Sequence, residues 1–377
     1  MKVCMNPIVS VVACKEYDLE GVRQAVKACL EPLGGLPRFV RPGMRVLLKP
    51  NLLAAAEEEQ AVTTHPLVVR AVAELVQAAG GRVMIGDSPS GPISGNAEVM
   101  RKSGMLAVAE ACRAKLVPFE GVTWKQNQGA DYFIARPALE ADLLINLPKI
   151  KTHSQTLYTG AVKNLLGVIP GERKMEVHVR APGSQDFSRE LVNLLELVHP
   201  PLTIQDGING QEGNGPGAGG TPHAYGCLAA STDPVALDTI ISQAMGFERG
   251  GVLHLALAGT RRLGVSDPDK IRVVARASVL DFGSLTLPAS HWYMHLPAWL
   301  SAPIRGAIKL QPVVNAVTCT GCGKCAKSCP GQAITVGKPP RVDLKKCVGC
   351  MCCAEVCPEG SVTPRRGRMA RLLGMST

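Results

Sequence analysis

No apolar run in this chain reaches the roughly 18–20 residues that a membrane-spanning helix needs, so none is expected. Met1–Ser10 lacks the basic start, apolar stretch and cleavage site of a secretory leader, and export is not expected. There is no zinc finger, RNP pattern or long Lys/Arg stripe, so nucleic acid is not an expected partner. No Gly-Lys-Ser/Thr phosphate loop, dinucleotide fingerprint, Ser-His-Asp order, nucleophilic-cysteine motif or evident flavin motif is visible. Aromatics are only 4% of the residues, whereas 39 glycines and 28 prolines suit a loop-rich α/β chain. Hydrophobic residues at 46% and charged residues at 19% describe a globular protein. At 377 residues it is too long for one small core, and two or three domains are expected.

Cysteine is the plentiful exception. Of 14 cysteines, nine lie between Cys319 and Cys357. Cys319-x-x-Cys322-x-x-Cys325-x-x-x-Cys329-Pro330 recurs as Cys347-x-x-Cys350-x-x-Cys353-x-x-x-Cys357-Pro358, each cysteine offset by 28 residues. Two-residue spacers wrap three corners of an iron–sulfur cube, and the fourth cysteine lies too far along to close the same one. The expected sets are therefore Cys319, Cys322, Cys325 with Cys357, and Cys347, Cys350, Cys353 with Cys329, each holding a 4Fe-4S cluster. Gly321, Gly323 and Gly349 allow close backbone approach within the loops. Zinc sites pair two C-x-x-C knuckles and do not use the triple run ending in Cys-Pro. Cys352 reads as a small buried neighbour of Cys353. Cys4, Cys14, Cys29, Cys112 and Cys227 have no ligand spacing and read as core thiols. The stretch resembles the bacterial two-cluster ferredoxins over roughly 45 residues.

Thiols that ligate iron must stay reduced, which points to the cytoplasm. The clusters also correct the formal charge: at roughly −2 each, they lower the tallied +10 to about +6. Part of the remainder is the tail with Arg365, Arg366, Arg368 and Arg371. An acidic substrate or acidic redox partner is then the expected match.

Before the cysteines, short apolar runs alternate with amphipathic ones. Strands are expected at Ile8–Ala13, Arg45–Leu48, Arg82–Ile85, Leu116–Phe119, Leu143–Leu147, Leu202–Gln205 and Ile271–Ala275. Helices are expected at Leu19–Leu33, His65–Ala79, Asn96–Ala114, Phe187–Val198 and Pro234–Met245. This order implies an α/β fold, a mostly parallel sheet with flanking helices, followed by a small ferredoxin-like α+β domain. The expected division is an α/β domain over 1–284, a linker over 285–315, a two-cluster domain over 316–363 and a basic tail over 364–377. The linker holds four prolines with Trp292 and Trp299, and reads as a segment packing its aromatics on a domain. A membrane-surface helix over Trp299–Leu310 is the alternative, cut short by the prolines.

In open α/β sheets, ligands bind beyond the carboxyl ends of the strands. Lys49 and Asn51 follow one strand, Asp87 a second, Lys149, Lys151 and His153 a third, and Asp206 a fourth. Gly160–Gly167, with Lys163 and Asn164, is expected to open a helix whose N–H groups face an anion, with Lys174 and His178 nearby. Gly213–Gly220 is either a flap over the site or a plain loop. Asp87, Asp206, Glu212, Asp233 and Asp238 are candidate ligands of a divalent cation. Asp233-Pro234 and His65-Pro66 also read as helix starts. His65, Lys151, His153 and Lys163 are the acid–base candidates.

Lys49-Pro50-Asn51, Thr64-His65-Pro66, Gly86-Asp87-Ser88, Lys149–His153, Lys163-Asn164 with Gly167, and Asp206-Gly207 through Asp238 resemble the domain of unknown function 362 family, over about Val46 to Phe247. Members often carry a ferredoxin tail of this kind. The resemblance implies iron–sulfur binding and a redox role without a defined substrate. The expected function is an oxidoreductase relaying electrons through two clusters to a small, anionic substrate at the strand ends, served by a ferredoxin-like partner. A further cation or redox cofactor in the α/β domain is the added expectation. The alternative is a non-catalytic carrier or a maturation partner of a larger redox complex.

Overall fold

The computed structural model describes residues 6–89, 96–171, 173–181, 183–217, 220–288 and 310–366. Trp292, Trp299, Arg368, Arg371 and Cys4 lie outside the described residues, as does most of the segment read as a linker.

Among the described residues, twelve strands precede the cysteine module: β1 (Ile8–Ala13), β2 (Arg45–Pro50), β3 (Arg82–Ile85), β4 (Lys115–Leu116), β5 (Val122–Asn127), β6 (Ala130–Ala135), β7 (Leu143–Leu147), β8 (Lys149–His153), β9 (Leu157–Thr159), β10 (Leu202–Gly213), β11 (Gly220–Ser231) and β12 (Arg272–Val274). The main sheet runs β12-β1-β11-β10-β7-β2-β3-β4, with β8 on β10 and β9 on β8. Only the pairings of β11 with β1 and β10, and of β9 with β8, are antiparallel. The sheet is mixed but mostly parallel, and helices flank it, as the sequence order implies. A separate β5–β6 hairpin packs outside it.

Both faces of the sheet are covered because its central strands are apolar on both sides. In β2, Val46 and Leu48 point into one core with helices Leu19–Leu30 and Pro66–Ala78, and Leu47 points into the other with Ser184–Leu197 and Pro234–Ala244. Asp18 caps the first helix by accepting from Gly21 N at 2.8 Å. Cys14, Cys29, Cys112 and Cys227 are buried free thiols. No helix among the described residues is long and apolar enough to cross a membrane.

Two strand and helix expectations change. The segment read as one helix over Asn96–Ala114 is two, Asn96–Lys102 and Met105–Ala111. Gly104 breaks it at φ +72°, where a Cβ would lie 2.9 Å from the Pro66 ring. The strand read at Leu116–Phe119 is only the pair Lys115–Leu116 at the sheet edge.

The cysteine module has two small sheets. β13 (Leu310–Val314) pairs with β16 (Val362–Arg366), and β14 (Ile334–Thr335) with β15 (Arg341–Val342). The 28-residue offset of the cysteines recurs in the backbone. Val313↔Thr363 in one sheet matches Arg341↔Thr335 in the other, and the short helix Lys324–Lys327 matches Cys352–Glu355. Gly321 and Gly349 share φ values of +74° and +76°. Met351 stands at φ +62° where the first half has Gly323. The module is a pseudo-twofold pair of loop–helix–strand units.

Candidate functional site

The module's cysteines gather in two sets. Cys319, Cys322, Cys325 and Cys357 line one small cavity, closed by Gly337, Pro340 and Val362. Cys329, Cys347, Cys350 and Cys353 line another, closed by Pro312, Ile334 and Met351. Each cavity thus takes three cysteines from one run and the last from the other. Four sulfurs around a small, largely apolar space, approached by glycine loops at positive φ, suit a 4Fe-4S cube. Cys322 is the exposed member, with Val336 and Lys338 beside its loop.

In the α/β domain the carboxyl ends of β1, β2, β3, β7 and β10 lie at one edge, since β11 turns β1 back parallel to β10. Two buried ion pairs organise this edge. Lys49 Nζ meets Asp87 Oδ1 at 2.7 Å, and Asp87 Oδ2 accepts from Leu52 N at 2.8 Å. Gly167 leaves room for that pair, because a Cβ there would fall 2.1 Å from Asp87 Oδ1. In the second pair, Lys149 Nζ meets Asp206 Oδ2 at 2.8 Å. Tyr17 donates to Asp206 Oδ1 at 3.0 Å, and His65 N donates to Asp206 Oδ2 at 2.9 Å. Burial lowers the affinity of both lysines for their protons, and the facing carboxylates oppose that shift.

Between the pairs runs an amide chain. Asn51 Nδ2 donates to Asn164 Oδ1 at 2.9 Å, Asn164 Nδ2 to Asn146 Oδ1 at 2.8 Å, and Asn146 Nδ2 to Ala161 O at 3.0 Å. Lys151 Nζ donates to Asn51 Oδ1 and to Val62 O. A cavity of about 50 Å³ opens here, lined by Asn51, Asp87, Lys151, Lys163, Asn164 and Lys174, with His178 and Pro216. Of the residues singled out at the strand exits, these come together; Lys49, Lys149, Asp206 and His153 lie behind or beside the cavity and do not line it.

Several expectations are corrected by where the side chains go. The helix opened by Gly160 is the short Ala161–Asn164, and its first N–H groups do not face a ligand. They donate to Asp238, Ala161 N at 2.7 Å and Val162 N at 2.8 Å, so the anion there is the protein's own carboxylate. Gly160 has no Cβ because one would lie 2.1 Å from Asp238 Oδ1. The five carboxylates do not converge on a cation. Asp87 and Asp206 are ion-paired, Asp233 caps helix Pro234–Ala244, Asp238 caps Ala161–Asn164, and Glu212 accepts from Thr286 N. Among the described residues no group of three or more His, Cys, Asp or Glu could hold a lone metal ion. His65 caps helix Pro66–Ala78, accepting from Leu67 N at Nδ1 and facing Glu58 through Nε2 at 2.9 Å. His153 Nδ1 accepts from Gln155 N and Thr156 N, which fixes a turn. The described part of the glycine-rich stretch follows the end of β10, and Gly217 N donates to Gln211 Oε1 at 3.0 Å.

Tyr17 was not among the residues expected from sequence, although it lies four residues beyond the end of β1 and is stacked on His65 at 3.6 Å. Its place after a strand exit was the available signal.

Buried histidines give this domain an expected pH response. Burial pushes His65 down to about 4, against Asp206, and His254 down to about 3, aided by Lys163 and His153. Between those values and about 6.5 the unfolded chain binds protons that the folded chain does not, so stability is lost as pH falls. Asp238 opposes this: burial raises it to about 7, so its folded carboxyl takes up a proton that the unfolded one lacks. His199 is also lowered by burial and adds to the proton excess of the unfolded chain, while burial raises Asp233 and works against it. Urea unfolding followed by circular dichroism from pH 7.5 to 5.5 should show stability falling by about 1–3 kcal/mol per pH unit near the acid end. A flat or rising profile would contradict neutral buried imidazoles.

Comparison with known proteins adds three findings. Residues 46–243, just over half of the chain, match the model of the domain of unknown function (DUF362), and residues 318–361 match a 4Fe-4S dicluster domain. A curated relative, the thylakoid-associated protein sll1697 of Synechocystis sp., is 39% identical over 264 residues, covering 68% of this chain and 80% of its own length. Among solved structures, the lactate racemase apoprotein of Thermoanaerobacterium thermosaccharolyticum is similar at a TM-score of 0.36 and 13% identity, covering 54% of this chain and 50% of its own. A Thermotoga maritima protein gives 0.34 and 12%, covering 59% of this chain and 57% of its own. This chain thus spans only about half the length of those structures. The chain belongs to the family described as domain of unknown function (DUF362), and it carries a C-terminal 4Fe-4S dicluster domain.

Proposed function

We propose that this protein is an iron–sulfur oxidoreductase that passes electrons through two 4Fe-4S clusters to a small, anionic substrate at the strand ends of the α/β domain. The observation that carries the reading is the pair of four-cysteine cavities, each completed by the last cysteine of the opposite run. Cys319, Cys322, Cys325 and Cys357 would hold one cluster and Cys347, Cys350, Cys353 and Cys329 the other. The clusters supply single electrons, and the cross-ligation keeps them near each other. Exposed Cys322 is the natural entry for a ferredoxin-type donor, with Lys338 beside it favouring an acidic one.

At the other end, Lys151, Lys163 and Lys174 line the strand-end cavity, which suits a carboxylate or phosphate. Lys151 is steered by Asn51, and Lys174 by the Ser88 carbonyl, so both ammonium groups are held in place. The α/β domain and the cysteine module, which β13 and β16 extend beyond the expected 316–363 to 310–366, separate the two tasks, and reduced thiolates favour a cytoplasmic setting. One observation favours a non-catalytic carrier instead: the cavity, at about 50 Å³, is small for most substrates.

Anaerobically purified protein should hold about eight iron and eight sulfide per chain and bleach with dithionite. Adding small carboxylates and phosphates to the reduced protein separates the readings. Reoxidation by one of them, slowed at least tenfold in Lys151→Ala, supports the oxidoreductase. Clusters that reoxidise only with a protein partner would leave the carrier.

A further inference from the structure

We infer that the cleft between the α/β domain and the iron–sulfur module binds a flat, uncharged ring that takes up two electrons and two protons, the chemistry shared by flavins and quinones. This rests on the electron-transfer reading above and adds the immediate electron acceptor. The cleft has a volume of about 630 Å³, within the roughly 300–1,000 Å³ of small-molecule sites.

Three observations point to that ligand. The first is contact with the cluster ligands: Cys357, Lys324 and Glu359 line both the cleft and the cavity of Cys319, Cys322 and Cys325. A ring in the cleft would lie one side chain from that cysteine set. The second is the walls. Ala54, Ala55 and Ala56 form a low apolar surface on the α/β side, and Val356 and Pro358 stand on the module side. Small apolar groups on both sides leave room for a flat, largely apolar body between them. The third is the charge of the lining, where Lys324 and Lys327 are offset by Glu59, Glu98 and Glu359. Neither an anion nor a cation is selected, in contrast to the lysine-lined strand-end cavity.

The cleft and that cavity also share walls. Leu53, Ser88 and Pro216 line the cavity, and their chain neighbours Ala54, Pro89 and Gly217 line the cleft. A bound ring would therefore stand between the cysteine module and the strand-end residues. Two reduced clusters each give one electron, two protons come from solvent, and the ring becomes its dihydro form while both clusters return to the oxidised state. A one-electron carrier protein, or dithionite in the test, reduces the clusters again.

The test uses the full chain, purified anaerobically with its iron. Riboflavin and menadione are the two probes. Riboflavin binding is read by fluorescence quenching, and reoxidation of the dithionite-reduced clusters is followed by absorbance for both probes. Saturable reoxidation with at least one probe is expected. Ala55→Trp and Glu59→Trp, which fill the cleft from its α/β side, should weaken that saturation at least tenfold with iron content unchanged. Glu59 is exposed, so its replacement threatens the fold least. Saturation with riboflavin alone assigns an isoalloxazine, with menadione alone a quinone, and with both the shared chemistry. Linear, unsaturated reoxidation, or saturation unaffected by both variants, would overturn the cleft as the binding site. Missing iron would instead remove the electron-transfer reading itself, which the iron count detects separately.

Discussion

Replacing Cys357 by alanine is expected to empty the cluster site of the first run, which begins 38 residues earlier at Cys319, and to spare the site of its own run. Iron should fall from about eight to about four per chain, and the remaining four should depend on Cys347, Cys350, Cys353 and Cys329. The expectation follows from geometry: Cys357 shares its cavity with Cys319, Cys322 and Cys325, whereas Cys329 completes the other. Paired variants make the test decisive. Cys322→Ala combined with Cys357→Ala removes two ligands of the same cube, so iron should stay near four. Cys350→Ala combined with Cys357→Ala removes one from each, so iron should approach zero. If each run closed its own cube, the two double variants would exchange results. Iron and sulfide assays on anaerobic protein read the difference directly. The effect is large because a cube with three thiolates has an open iron corner, exposed to solvent and oxidant.

The cysteine module was legible because its chemistry is local in sequence: spacing of two, two and three residues is itself the geometry. The α/β domain was legible where burial follows from apolar runs. β1, β3 and β7 fall on the residues their patterns imply. β8 did not announce itself, since Lys149-Ile150-Lys151-Thr152-His153 carries no apolar alternation. It is nevertheless buried, because Asp206 and the Val62 carbonyl receive its lysines. Those partners lie 57 and 89 residues away, beyond the reach of any local pattern. β11 was hidden for a different reason. Pro222 and Gly226 interrupt it, and its regular part pairs on both sides with β1 and β10.

The strand-exit rule found the correct edge of the sheet but could not separate ligand-facing groups from structural ones. Asp87 and Asp238 illustrate the limit. Both are buried carboxylates after or near apolar elements, and sequence offered each as a cation ligand. One serves Lys49 and lines the cavity, and the other caps a helix of the same chain. Glycine at 160 and 167 carried the distinguishing signal, although the sequence alone reads that stretch as a helix start facing an outside anion. Each marks a point where a carboxylate approaches the backbone too closely for a Cβ.

Asp206→Asn is expected to destabilise the α/β domain by about 3–5 kcal/mol, the range for leaving a buried charge without its partner. Four groups depend on this carboxylate: Lys149 Nζ, the Tyr17 hydroxyl, and the backbone N–H groups of His65 and Ile208. Asparagine keeps the shape but removes the charge facing a lysine that is 1% exposed. Lys149 then has two outcomes, an ammonium buried without a counter-charge or a neutral amine that has lost its proton. Both raise the free energy of the folded state, and the second adds a loss of stability that eases as pH rises and the unfolded lysine also deprotonates. For a domain of this size the loss corresponds to a fall in Tm of about 6–20 °C. The double variant Lys149→Met with Asp206→Asn should recover much of the loss, because it removes the uncompensated ammonium while the amide oxygen at 206 can still accept from the Tyr17 hydroxyl and the backbone N–H groups. Asp269→Asn is the matched control. Its partner Arg249 is exposed, so solvent screens the pair and Tm should not move measurably. Thermal unfolding of the four proteins at one pH decides the matter. Equal Tm for Asp206→Asn and Asp269→Asn would mean that the buried pair does not hold the strand ends together.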